Sequence, residues 1–351
     1  LKKDISNFAA PNIYAENYAK KLTKKFNNCS KIIFCNSGTE AIIKSLRIVK
    51  ALSEKNKIVS VTGSWHGSVD KLLFTPGKNL EPNYLSSGLS TSDKKNLIFI
   101  PYNNIEKSKK ILNKNKKNIS CIIIEPIQGA LPTANCKKYL KFLKNFCKKN
   151  KKILIFDEMI TGLRSHGNSL QNFFNIKSDI SIFGKAIGGG LPIGLIAISK
   201  EIEKRLLKKK NKVFFGGTFS GNSLVSYVGM SVFDFIQKNK NEIFKKLNHL
   251  SSKFEKNLNY FFKEKKLDLK IYRFESLMRI IFTKQKINDR LQRDFFEKSK
   301  SKKIKQFKRF LYKNNIYYSS SGLIFFSYST SEKDVNYMIR IFKEGCLKFF
   351  N

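Results

Sequence analysis

Seven short apolar runs punctuate the first two-thirds of the chain: Lys31–Cys35, Lys57–Val61, Leu97–Ile100, Ile119–Ile124, Ile153–Phe156, Asp179–Phe183 and Leu195–Ile198. Runs this short and this apolar predict strands covered on both faces. Amphipathic segments separate most of them. Ile42, Leu46, Val49 and Leu52 recur at helical spacing, as do Leu140, Leu143, Phe146 and Cys147 within Cys136–Asn150. Alternating strand and helix signals predict the α/β class, with a large domain built on a mostly parallel seven-stranded sheet. Leu195–Ile198 is expected as the last strand, with an antiparallel direction open.

From about Leu224 the pattern changes. Leu224–Gln237 and Glu242–Lys263 read as long helices, and about 268–351 as strand, strand, helix, strand, strand, helix. Ser331-Glu-Lys-Asp334 is a capping-box pattern, and Val335, Met338, Ile339 and Phe342 follow on one face. The division predicted is a large domain over 1–240 and a smaller α/β domain over 241–351. Residues 75–96 are rich in Gly, Pro, Ser and Asn and lack periodicity, which predicts a long loop of the kind that serves as a lid.

Composition removes several function classes. No apolar run approaches the ~20 residues of a membrane span, and the lysine-dotted start has no apolar core of a secretory signal. The six cysteines form no CxxC pair and read as reduced core residues, so a cytoplasmic location is expected. Three scattered histidines show no metal-ligand spacing, and no metal is expected. The net charge of +42 raises nucleic acid as a partner. The lysines, however, run along the whole chain and alternate with apolar residues, as between Lys137 and Lys152. Solvated helix faces are therefore expected rather than a nucleic-acid surface.

Two of the apolar runs end in acids, Glu125 and Asp157-Glu158. In open α/β sheets ligands bind beyond the carboxyl ends of strands, so these carboxylates stand where chemistry occurs. Phe183-Gly-Lys185-Ala-Ile-Gly-Gly-Gly190 places a lysine after a strand and before glycines, the reverse of a P-loop. Such a lysine, partly desolvated, is a nucleophile toward an aldehyde. Asn36-Ser-Gly-Thr-Glu-Ala41 joins a strand to a helix and reads either as a plain cap or as a phosphate site on free backbone N–H groups. Gly63-Ser-Trp-His-Gly67 carries the only tryptophan, Trp65, which either packs in the core or stacks on a planar ring. A sheet-end carboxylate, a nucleophilic lysine, a phosphate-binding helix start and a stacking aromatic together describe a pyridoxal-phosphate site.

These motifs, with Gly217-Thr-Phe-Ser-Gly-Asn222, stand in the order and spacing of the class III aminotransferases of fold type I, which the chain resembles from about residue 10 onward. The glutamate semialdehyde aminomutases are the branch it is most similar to. The resemblance implies pyridoxal 5′-phosphate as cofactor, a small-molecule amino donor and carbonyl acceptor, and a homodimer. It implies that Lys185 forms the Schiff base and then moves a proton, and that Asp157 pairs with the pyridine N–H. It further implies that Ser37, Gly38 and Thr39 hold the phosphate, with Thr218 reaching in from the neighbouring subunit, and that Trp65 stacks on the ring. His66, Glu125 and Glu158 are motif residues close to the cofactor. Members of the family carry a longer segment before the Ser-Gly-Thr motif, so the expectation is a fragment or a reduced homologue. At Ala130, Ile160, Gly322 and Leu323 the chain departs from patterns in the family, which leaves donor and acceptor open.

Overall fold

The computed structural model describes residues 11–319 and 321–351. It divides into two compact units, one formed by the chain up to Pro126 with Cys136–Lys238, the other by Ile127–Asn135 with Asn239–Asn351.

The first unit opens with α1 (Ile13–Lys25), capped by Asn12, whose side chain accepts from Ala15 N–H. Then come β1 (Lys31–Cys35), α2 (Gly38–Leu52) and β2 (Lys57–Val61). A small hairpin of β3 (Phe74–Pro76) and β4 (Pro82–Tyr84) follows, then α3 (Thr91–Asn96) and β5 (Leu97–Ile100). Next are α4 (Ile105–Asn115), β6 (Ile119–Ile124), α5 (Lys137–Lys149), β7 (Ile153–Asp157) and α6 (Leu170–Phe174). The unit closes with β8 (Ile180–Gly184), β9 (Gly194–Ile198), α7 (Lys200–Leu207) and α8 (Ser223–Lys238).

The seven-stranded sheet has the order β1-β9-β8-β7-β6-β2-β5. Strands β5, β2, β6, β7 and β8 pair in parallel, whereas β9 runs antiparallel to both neighbours, β8 and β1. All residues of β5 to β9 are buried, as the apolar runs require when helices cover both faces. In α5 the same logic sorts the lysines: Tyr139, Leu140, Leu143, Phe146 and Cys147 are buried while Lys137, Lys138, Lys141, Lys148 and Lys149 face solvent.

Two expectations need correction here. Residues 75–96 are not one structureless loop. Backbone bonds from Gly77 N–H to Glu81 O and from Leu80 N–H to Gly77 O close the β3–β4 hairpin, and the Ser90 side chain caps α3 by accepting from Asp93 N–H. The cysteines are all free, but Cys29 is only partly buried.

The second unit contains α9 (Lys240–Glu264), β10 (Lys270–Phe274), β11 (Leu277–Ile281), α10 (Arg290–Lys298), α11 (Ser301–Lys313), β12 (Leu323–Phe325) and α12 (Glu332–Phe350). Its sheet has the order β10-β11-β12. The capping box at Ser331–Asp334 starts α12, and Val335, Ile339 and Phe342 pack into a core with Phe254, Phe307 and Ile280. The expected order fails in its middle: two helices stand where one was predicted, and one described strand where two were. Asn315 in the left-handed region ends α11. The next stretch folds back through Gly322 N–H to Ser319 O and Tyr318 O–H to Gly322 O, so it offers no ladder to a neighbour.

Replacing Ile155, fully buried in the middle of β7, with Ala should cost about 2–5 kcal/mol through lost burial and the cavity left behind. Urea unfolding followed by circular dichroism measures it, and an unchanged midpoint would mean that β7 is not at the centre of the core.

Candidate active site

Strands β1, β2, β6, β7 and β8 all end at the same edge of the sheet, and β9 starts there. The segments beyond those ends enclose a cavity of about 690 Å3. Ser37, Gly38, Thr39, Trp65, His66, Glu125, Asp157 and Lys185 all line it. A second cavity, of about 720 Å3, lies beside α2 and α3 and contains none of these residues.

The α2 start forms one wall. Ser37 is its N-cap and accepts from Glu40 N–H, while the first-turn N–H groups have no intrahelical partner. Thr39 Oγ1 accepts from Ser68 N–H at 3.3 Å. Two glycines let backbone close around this turn. A Cβ on Gly67, at φ +70°, would lie 2.5 Å from Thr39 Oγ1, and one on Gly194 would lie 2.0 Å from Ser37 O.

The acids differ in setting. Glu125 Oε1 accepts from Trp65 N–H at 2.5 Å. Asp157 Oδ2 lies 2.7 Å from His66 Nδ1, and its Oδ1 accepts from Met159 N–H at 3.0 Å. An ionised Asp157 requires the proton of that pair on Nδ1. His66 is buried, and its Nε2 has no hydrogen-bond partner among the described residues. Glu158 does not line the cavity. It lies fully buried behind Asp157, accepts from Leu170 N–H, and leaves Oε1 without a partner. Burial pushes its carboxyl up to about 8, against hydrogen bonds from Leu170 N–H and the Ser169 hydroxyl that favour the anion.

Lys185 follows β8 directly and holds φ +52°, a left-handed conformation that costs a non-glycine residue on the order of 1–3 kcal/mol. Its side chain lines the cavity, and the residue is exposed. Partial burial lowers its pKa. The carboxylates of Glu125 and Asp157 oppose that shift, and the Arg164 guanidinium adds to it.

Trp65 is not a core residue: it is 53% exposed at the cavity wall. Thr218 is not in the cavity; it lies in an exposed turn ahead of α8. Sequence reasoning did not single out Met159, Arg164 or the Leu191–Ile193 wall. Arg164 Nη1 donates to Ile160 O at 2.6 Å.

The donor set suits pyridoxal phosphate. A helix start with free N–H groups matches a phosphate, and a carboxylate with acceptor capacity to spare matches a pyridine N–H. A lysine of lowered pKa matches an aldehyde.

Fold and site together define a fold type I pyridoxal-phosphate enzyme of the aminotransferase and aminomutase type. The chain belongs to the class III aminotransferase family, whose profile matches residues 4–304. It is 33% identical over 350 residues to the glutamate-1-semialdehyde 2,1-aminomutase of Caldicellulosiruptor bescii, covering 98% of this chain and 80% of that one. It is 31% identical to the enzyme of the same name from Thermodesulfovibrio yellowstonii, over 98% of this chain and 82% of that one. Among solved structures, an omega-transaminase from Sphaerobacter thermophilus shares the fold with a TM-score of 0.88 at 20% identity, covering 97% of this chain and 79% of that one. A glutamate-1-semialdehyde aminomutase from Pseudomonas aeruginosa shares it with a TM-score of 0.85 at 17% identity, over 98% and 77%.

The position of Glu158 has a pH consequence. Between the ordinary carboxylate value of 4.5 and about 8, the folded chain holds a proton that the unfolded chain releases. Stability should therefore fall as pH rises through that window, and Glu158→Gln should flatten the slope. Thermal unfolding of both proteins from pH 5 to 9 tests this. Parallel profiles would show that Glu158 is ionised throughout.

Proposed function

We propose that this chain moves an amino group on a small amino or carbonyl substrate, with Lys185 and Asp157 as its catalytic residues. The observation that carries the reading is the meeting of Lys185, Asp157 and the α2 start in one cavity, on a chain of this family. The name shared by the relatives makes an amino shift within one molecule the first reaction to assay and transamination between two molecules the second. The first unit serves as the cofactor domain in this reading, and residues 241–351 as the smaller domain.

Bound pyridoxal phosphate supplies an aldehyde and an electron-withdrawing ring. The chain does the rest. Backbone N–H groups at Gly38 and Thr39, with the hydroxyls of Ser37 and Thr39, hold the phosphate at the positive end of α2. Asp157, positioned by its 2.7 Å contact with His66, would accept from the ring N–H of the bound cofactor. Lys185 would be the residue to hold the cofactor through its aldehyde, and its Nζ, when free as the neutral amine, would accept a proton from the substrate and return it. Trp65 offers its exposed ring face to the cofactor, and Glu125 fixes the backbone of Trp65. Ile160, Leu191, Pro192 and Ile193 give the remaining wall an apolar character that limits water.

A homodimer completes the site in this reading. Thr218 lies in an exposed turn, and Phe214 and Phe219 nearby are 75% and 64% exposed, so the segment supplies apolar surface for a second copy. A cytoplasmic location is supported by the free, mostly buried cysteines. Among the described residues no helix is long and apolar enough to cross a membrane.

The purified chain mixed with pyridoxal phosphate should develop a visible absorption band that withstands dialysis, and Lys185→Ala should lack it. Retention of the band in the variant would sink the assignment of Lys185. The rate of uptake should rise with pH and level off below the range of a free lysine, because Lys185 reacts as the neutral amine. Glu125→Gln removes a carboxylate that holds the Lys185 pKa up, so it should move that midpoint lower still. A midpoint that rises or stays in place would place Glu125 outside the electrostatic reach of Lys185. Sedimentation velocity should show a dimer, and a monomer at micromolar concentration would remove Thr218 from the site.

A further inference from the structure

Residues 213–222, which lead into α8 and carry Thr218, are fastened to α2 by two side chains, Lys44 and Arg47. Lys44, 4% exposed, places Nζ 2.5 Å from Glu40 Oε1 and 3.4 Å from Ser220 Oγ. The other Glu40 oxygen, Oε2, accepts from the backbone N–H of Asn36 at 2.7 Å. Arg47, the next α2 residue on that side, donates from Nη1 to Phe214 O at 2.6 Å. The turn itself closes through Ser220 N–H to Gly217 O at 2.9 Å. A Cβ on Gly217 would lie 3.1 Å from Glu40 Oε1 and 2.6 Å from Ser220 Oγ, so the turn backbone rests beside the carboxylate and a side chain there would displace the Ser220 hydroxyl.

Glu40, Lys44, Gly217 and Ser220 do not line the cavity, yet each touches something that bears on it. Asn36, which Glu40 holds, is the first residue of the Asn36–Thr39 cup. Gly217 and Ser220 bracket Thr218. A buried ammonium tolerates no loss of its partners, because an unpaired charge there would face low dielectric. Lys44 therefore resists any motion that parts α2 from the turn.

We propose that Glu40 and Lys44 are positioning residues whose ion pair joins the Asn36–Thr39 cup to the turn that presents Thr218, so that neither can shift without loosening the other. This rests on the reading given under Proposed function, in which the cup holds the cofactor phosphate and Thr218 meets the cavity of a second copy. One subunit's ion pair then serves two cofactor sites: its own through Asn36, and its partner's through the turn.

Two measurements on Lys44→Met, Lys44→Arg and Gly217→Ala test this. Hydrogen exchange on the cofactor-free chain reads the fastening directly, and Lys44→Met and Gly217→Ala should speed exchange across 214–222. Titration with pyridoxal phosphate reads the consequence. Both variants should bind it at least about tenfold more weakly, as expected when a buried charge loses its partner or is displaced, although neither residue touches the cavity. Lys44→Arg keeps a cation within reach of Glu40 and should restore both readings to within about threefold of the parent chain. Unchanged exchange across 214–222 would overturn the fastening, and faster exchange with unchanged affinity would overturn the link to the cup. Failure of Lys44→Arg to recover either reading would reduce the role of Lys44 to packing. A parent chain that takes up no pyridoxal phosphate would instead overturn the reading of the cavity, and it shows before any variant is compared.

Discussion

The ladder of parallel hydrogen bonds through β2, β6, β7 and β8 decides where everything chemical in the first unit lies. Parallel strands must all end at the same edge, and the chain must return along a helix before it can begin the next strand. The residue that follows each strand therefore meets its counterparts from the others. Glu125 follows β6, Asp157 ends β7, Lys185 follows β8, and the Asn36–Thr39 cup follows β1. Side chains far apart in the chain converge without any of them having to attract another. The antiparallel β9 adds to this, because its start at Gly194 packs on Ser37 and closes the cup from below.

At that edge, depth sorts the charges. Asp157 contacts His66 Nδ1 and accepts from Met159 N–H, whereas Glu158, one residue later, points into the interior and is pushed up to about 8. Adjacent carboxyls on one strand end thus meet different surroundings, because the pleat sends successive side chains to opposite faces. Lys185 is balanced between partial burial and the guanidinium of Arg164, which lower its pKa, and two carboxylates, which raise it. The left-handed backbone at Lys185 is the strained element of the arrangement, placed at the start of a short 3-10 turn. The tight packing of β8 beneath it resists its relaxation.

Where the sequence was legible, one local signal met no competitor. The seven strands announced themselves as apolar runs, and the Ser331–Asp334 box started α12 as its spacing implies. Where it was not, the signal was short or shared. The Ser90 cap of α3 has the same serine-to-acid spacing as the α12 box, but it precedes only six helical residues with no apolar face, and the surrounding Gly and Ser concealed it. The β3–β4 hairpin has three-residue strands, too short to show alternation. Between β11 and β12 an apolar stretch around Tyr317 has strand-like composition, yet a turn at Ser319–Gly322 denies it a partner. For Trp65, composition allowed both a core and a surface position, and the fold leaves it half exposed at the cavity wall.

The sequence by itself determined the class of fold, the seven strands of the large sheet along the chain and the residues with chemistry to offer, because these follow from periodicity, from strand-end positions and from motifs that are contiguous in the chain. Only the tertiary structure decided how those residues act on one another. The contact of His66 with Asp157 joins residues 91 positions apart, and that of Lys44 with Ser220 joins residues 176 apart. No local signal reports such pairs. That Asp157 lines the cavity while Glu158 does not also depends on what packs behind the strand rather than on the strand itself.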